Sequence, residues 1–168
     1  MHKIYFEKRC IIICEPSDQA LTDPNSVEFH IGSRIDIHTL VSMFEASESL
    51  SRIYIPTDNT ERMYRMLCSE FKEVNAAGGL VSNRRGDFLL IDRNNVWDSP
   101  KGHQEPDEDI SVTALREVQE ETGVSQLELG DLICITDHCY FRNGKWHLKH
   151  TWWYSMQYTD PVDLTPQR

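Results

Sequence analysis

LREVQEETGV, residues 115–124, reads as the final turns of a helix halted at Gly123. Ile110, Ala114 and Val118 recur every four residues, which predicts one buried stripe on a helix over 109–122. Glu117, Glu120 and Glu121 stand on a neighbouring face at spacings i, i+3 and i+4, where like charges repel. They also crowd the C-terminal end of the helix, whose partial negative charge favours cations. Left bare, such a cluster drives its own pKa values upward. A hard divalent cation, which takes oxygen ligands, reverses the conflict. The stretch SPKGHQEP, residues 99–106, is read as a loop serving the same place. It offers Gly102, where backbone can approach a ligand, and Lys101, a point charge suited to phosphate.

Gly102, five residues, Glu108, seven residues and then REVQEETGV together resemble the Nudix box, G-x5-E-x7-R-E-U-x-E-E-x-G-U with U aliphatic. Gly102, Glu108, Arg116, Glu117, Glu120, Glu121 and Gly123 match every fixed position, and Val118 and Val124 fill the aliphatic ones. At ordinary residue frequencies this agreement arises by accident with probability on the order of 10⁻⁶. The resemblance implies an α+β fold, a Nudix-type α/β/α sandwich on a mixed sheet. It implies Mg²⁺ or Mn²⁺ held by Glu117, Glu120, Glu121 and the carbonyl of Gly102, with Arg116 and Glu108 orienting the acids by ion pairing. Glu120 is the expected general base, with Glu117 second. Lys101, His103 and Lys149 are the candidates for contact with substrate. The PKGH of residues 100–103 is similar to that of relatives acting on diadenosine and diphosphoinositol polyphosphates, although Ser99 and Asp107 depart from the Leu and Gly usual there.

The remaining sequence frames the box. A chain of 168 residues with 39% hydrophobic and 26% charged content suits one average domain, or a small domain with an appendage. KIYFEKRCIIIC reads as β-rich, residues 37–48 and 61–71 as helices, and SRIYIPT as a strand. They define a small α/β N-terminal unit over residues 1–72, of unread role, ahead of a Nudix domain over 73–168. In that domain AAGGLVSN and FLLID flank the turn NRRGD as a hairpin, and Asn143-Gly144 joins a second one. RNNVWDSPKGHQEPDED is read as irregular. The sandwich needs a helix near its C-terminus, and too few residues follow LTPQ to make one. The expectation is a truncated chain, or cover supplied by the N-terminal unit.

Several classes are excluded by composition. A formal net charge of −10 leaves no basic face for a nucleic-acid polymer. The longest apolar run, Cys10–Cys14, is too short for a membrane span, and no signal-like segment precedes it. A cytoplasmic location is expected. Five cysteines without CxxC spacing read as buried free thiols rather than disulfides or zinc ligands, and His138, Cys139, His147 and His150 fit no zinc pattern either. Trp97, Trp152, Trp153 and Tyr154 read as packing rather than a base-stacking platform. Asp131, Asp137, Asp160 and Asp163 are open as extra metal ligands. The function these residues and the resemblance imply is divalent-metal-dependent hydrolysis of a diphosphate linkage, by water attack on phosphorus. The substrate would be a nucleoside diphosphate derivative or a dinucleoside or inositol polyphosphate. The alternative is a non-catalytic Nudix-like module that senses a nucleotide. The partner is a small phosphorylated molecule, and a homodimer is compatible with the sequence.

Overall fold

Local chemistry marks the element ends. Asp36 and Asn59 cap two helices, accepting from His38 N at 3.0 Å and Arg62 N at 2.9 Å. Glu7 (φ 56°) and Asn143-Gly144 (φ 52° and 73°) take the left-handed backbone that tight hairpins require. In the computed structural model, which describes residues 1–18, 24–30 and 36–159, the strands are β1 (His2–Phe6), β2 (Arg9–Cys14) and β3 (Ser26–Glu28), then helix α1 (Ile37–Ala46), β4 (Arg52–Pro56) and α2 (Thr60–Cys68). There follow β5 (Lys72–Ser82), β6 (Phe88–Leu89), β7 (Ile91–Arg93), β8 (Val96–Asp98), β9 (Lys101–His103), α3 (Ile110–Thr122), β10 (Leu127–Arg142) and β11 (Lys145–Tyr158). Parallel and antiparallel pairs coexist, so the class is α+β with a mixed sheet. Among the described residues no helix is long and apolar enough to cross a membrane.

The chain forms two compact units, Met1–Glu73 with Asp137–Leu148, and Val74–Thr136 with Lys149–Arg168. In the first, β2 pairs antiparallel with β1 and parallel with β4, β3 adds to β4, and β1 runs parallel to β10 at Ile4↔Asp137. The apolar run of β2 is buried from Cys10 to Cys14, as expected of an interior strand covered on both faces. Leu40, Val41 and Phe44 of α1 and Leu67 of α2 pack with Ile4, Ile11, Ile13, Ile53 and Ile55 in one core. Both helices end two or three residues before the sequence suggested.

In the second unit β5 is the organising strand. It pairs antiparallel with β6 through Val81↔Leu89 and with β9 through Ala77↔Gly102. Asn83 ties the intervening turn, its side-chain oxygen accepting from Arg85 N and Asp87 N, both at 2.9 Å. Ala114 and Val118 of α3 are fully buried with Ala77, Val81 and Met156. Gly123 ends the helix at φ 77°, with its N–H donating to Gln119 O.

Three readings are corrected. The stretch taken as irregular contains β8 and β9, and β7 with β8 forms a separate hairpin turned by Asn94 and Asn95 at φ 55° and 62°. Strands of three residues are too short to show a period. Lys101, Gly102 and His103 therefore lie on a strand rather than a loop. Cys134 is exposed, unlike the other four free cysteines, because β10 is exposed along its residues 128–135.

Candidate active site

Pairing of β9 with β5 sets Lys101–His103 against the last turns of α3. The approach is close because two glycines permit it. A Cβ on Gly78 would lie 2.3 Å from Pro100 O, and one on Gly102 would lie 1.9 Å from Glu117 Oε2. The Glu117 carboxylate thus fills the space a side chain at residue 102 would take.

Arg116 is the centre of the polar network. Its Nε and Nη2 donate to the two oxygens of Glu108 at 2.8 and 3.0 Å, a bidentate pair. Nη1 donates to Glu117 Oε1 at 2.8 Å and to Glu120 Oε2 at 3.3 Å, and Nη2 also donates to the carbonyl of His103 at 3.0 Å. Glu108 accepts further from Thr113 Oγ1 at 2.7 Å and from Glu105 N at 3.2 Å. The Arg116 and Thr113 hydrogen bonds hold its carboxyl at a pKa of about 2. The same Glu108 bonds raise Arg116 above its ordinary value.

Glu121 is held differently. Its Oε2 accepts from the backbone N–H of Lys101 at 2.9 Å, and its Oε1 pairs with the guanidinium of Arg93 on β7. The Lys101 ammonium pairs with Asp98, donates to Ser99 O at 3.3 Å and lies 5.5 Å from the centre of the Trp153 ring. Lys149 has its pKa lowered, first by burial and then by the nearby charge of Lys101, against which Asp98 acts.

A cleft of about 530 Å³ gathers these groups. Lys101, Gly102, His103 and Lys149 line it together with Arg116, Glu117, Glu120 and Glu121, while Glu108 lies behind Arg116. The exposed ring of His103 contributes less to the network than its carbonyl does. Arg93 and Asp98 were not singled out from sequence; the signal available was the Asn-Asn turn, which aims both strands of a short hairpin at one place. Asp137 accepts from Tyr64 at 2.7 Å in the first unit, and Asp160 and Asp163 lie outside the described residues. Among the described residues no three acid, histidine or cysteine side chains are already gathered as a metal-ligand set. The three glutamates turn to arginines instead.

The sequence model of the NUDIX domain matches residues 72–168, more than half of the chain. The chain belongs to the Nudix family. Among curated relatives, this Nudix chain is 45% identical over 56 residues to "Nucleoside diphosphate-linked moiety X motif 6" of Homo sapiens, covering 31% of this chain and 18% of that protein. It is 46% identical over 52 residues to the bis(5'-nucleosyl)-tetraphosphatase [asymmetrical] of Rattus norvegicus, covering 29% and 35%. It is 30% identical over 113 residues to an RNA pyrophosphohydrolase of Rhodopseudomonas palustris (strain BisA53), covering 58% and 62%. The chain thus spans less than two thirds of the length of these relatives. Among solved structures it is similar to the C. elegans Ap4A hydrolase, with 31% identity, a TM-score of 0.42 and coverage of 55% and 74%. It is also similar to the MutT protein from Methanosarcina mazei Go1, with 26% identity, a TM-score of 0.44 and coverage of 58% and 72%.

Proposed function

We propose that this Nudix chain is a divalent-cation-dependent pyrophosphohydrolase acting on a small molecule that carries a diphosphate linkage. The carrying observation is one cleft that brings the carboxylates of Glu117, Glu120 and Glu121 together with Gly102 and with the cations Lys101, Arg93 and Lys149. Acids alone would repel a polyphosphate, and cations alone would hold it without activating water. The donor set fits a hard ion, because every candidate ligand is an oxygen. The acids already attract positive charge from Arg93 and Arg116. Glu117, Glu120, Glu121 and the Gly102 carbonyl would hold Mg²⁺ or Mn²⁺, which when bound supplies neutralisation of phosphate charge and a more acidic water.

Arg116, fixed by Glu108, orients Glu117 and Glu120. Glu120 is the general base: it is the most exposed of the three acids, at 47%, and among the described residues its side chain keeps only a long bond to Arg116. It takes a proton as water attacks phosphorus. The new P–O bond forms as the bridging P–O bond breaks, and the leaving phosphate departs as the anion. Lys101 and Lys149 bind phosphate oxygens, and His103 flanks them. Nucleoside diphosphate derivatives, dinucleoside polyphosphates and diphosphoinositol polyphosphates are the substrate classes, met in the cytoplasm.

A panel of these compounds with Mg²⁺ or Mn²⁺ tests the reading. Metal-dependent release of phosphate or nucleotide is expected, and Glu120→Gln lowers turnover by roughly 10²- to 10⁴-fold with the fold intact. Tight binding without release from any compound would favour the sensing module. Near-normal turnover by the variant would remove Glu120 from the base role.

A further inference from the structure

Among the described residues Glu121 is the one member of the acid cluster bonded by side chain and backbone from outside its own helix, by Arg93 of β7 and the Lys101 N–H of β9. Glu121 is in turn the sole hydrogen-bond partner of the Arg93 side chain among the described residues. The element that carries Arg93 is lightly tied. β7 and β8 pair with each other through Ile91↔Asp98 and Arg93↔Val96, and form a sheet of two strands only. Alternation puts Arg93 and Asp98 on one face of that hairpin. From there Arg93 reaches Glu121 and Asp98 reaches Lys101.

The Arg93–Glu121 pair is asymmetric. The Glu121 side chain is 14% exposed and that of Arg93 49% exposed, so the acid is the enclosed partner and the guanidinium is the one open to solvent. A carboxylate oxygen that accepts from a guanidinium keeps only its remaining lone pair for a metal ion, and two cations at one carboxylate repel each other. Lys101 and Lys149 line the same cleft, and the Lys149 pKa is lowered first by burial and then by the charges of Lys101 and Arg93, with Asp98 opposing. Arg93 released from Glu121 would add a positive charge near Lys149 and near Lys101, which is paired with Asp98. Its planar fork suits phosphate oxygens.

We propose that Arg93 is an exchangeable counter-ion of Glu121: it occupies the carboxylate until a divalent cation takes it, and then binds phosphate beside Lys101 and Lys149. The inference rests on the metal-dependent reading above and assigns Arg93 a role in substrate binding coupled to metal entry. The pair serves as a placeholder that keeps Glu121 aimed while no metal is held.

Mn²⁺ titration of the full chain, followed by the EPR signal of the free ion, tests the exchange. Arg93→Gln is expected to bind Mn²⁺ roughly two- to five-fold more tightly than the wild type, the range an exposed ion pair is worth. With Mn²⁺ saturating, the same variant is expected to bind imidodiphosphate, a non-hydrolysable diphosphate, at least about five-fold more weakly. Unchanged or weaker Mn²⁺ binding by the variant overturns the counter-ion role. Tighter Mn²⁺ binding with unchanged imidodiphosphate affinity overturns the transfer to phosphate. Hydrogen exchange of residues 91–98 in the wild type gives a test without a variant: Mn²⁺ should speed it by releasing the Glu121 tie, and unchanged protection overturns the proposal. Absence of Mn²⁺ binding by both proteins would instead sink the metal-dependent reading itself.

Discussion

Glu108 touches no proposed metal ligand, yet it determines where two of them point. Arg116 can direct Glu117 and Glu120 only while its other side is anchored, and Glu108 anchors it with a bidentate pair. The Glu108 pKa is held at about 2, below its ordinary 4.5. Its contribution to stability is therefore complete above about pH 5, shrinks as pH falls, and is gone below about pH 2. Urea midpoints of wild type and Glu108→Gln should differ most near neutrality and converge through that window. A gap independent of pH would contradict the assignment. At Gly102 the expected effect is on the site rather than the fold. In Gly102→Ala the new methyl displaces the Glu117 carboxylate, the far end of a flexible side chain. Metal affinity should drop on the order of 10- to 100-fold while the far-ultraviolet spectrum is unchanged. Equal metal affinity would remove the convergence on which the site depends.

At the scale of elements, the three-residue strand β9 carries the most consequence. It has little stability of its own, and its place depends on pairing with β5 across Gly78. A Cβ there meets backbone, Pro100 O at 2.3 Å and Lys101 Cα at 2.9 Å, so the strand itself must move. Gly78→Ala should cost about 1–3 kcal/mol and lower turnover as well, because Lys101 and Gly102 shift together. Thermal unfolding and steady-state kinetics measure the two effects, and a variant of wild-type stability would show that β9 can slide. Helix α3 was the most legible element, since its four-residue apolar period, Asp109 start and Gly123 stop all agree. The short hairpin β7–β8 was hidden, being bounded by a turn whose Asn-Asn signal fell within a stretch without a period.

At the scale of the whole molecule, the proposed metal site would link metal binding to folding. Saturating Mg²⁺ at a hundredfold excess over Kd supplies about 2.7 kcal/mol, which raises Tm by roughly 5–10 °C in a chain of this size. Identical melting curves with and without Mg²⁺ would count against the site. The sequence by itself determined the family, the helix of the box and the three acids, because a 3.6-residue period, a left-handed glycine and like charges one turn apart are local facts. It also named Arg116 and Glu108 through the family pattern. Only the tertiary structure decided which cation answers each acid. Arg93 lies 28 residues from Glu121, and Lys149 reaches the cleft from β11. That Gly102 sits on a strand with Glu117 in place of its missing side chain was likewise a tertiary outcome. Such contacts depend on how strands pair at long range, and pairing partners are set by packing of the whole sheet rather than by the residues next door.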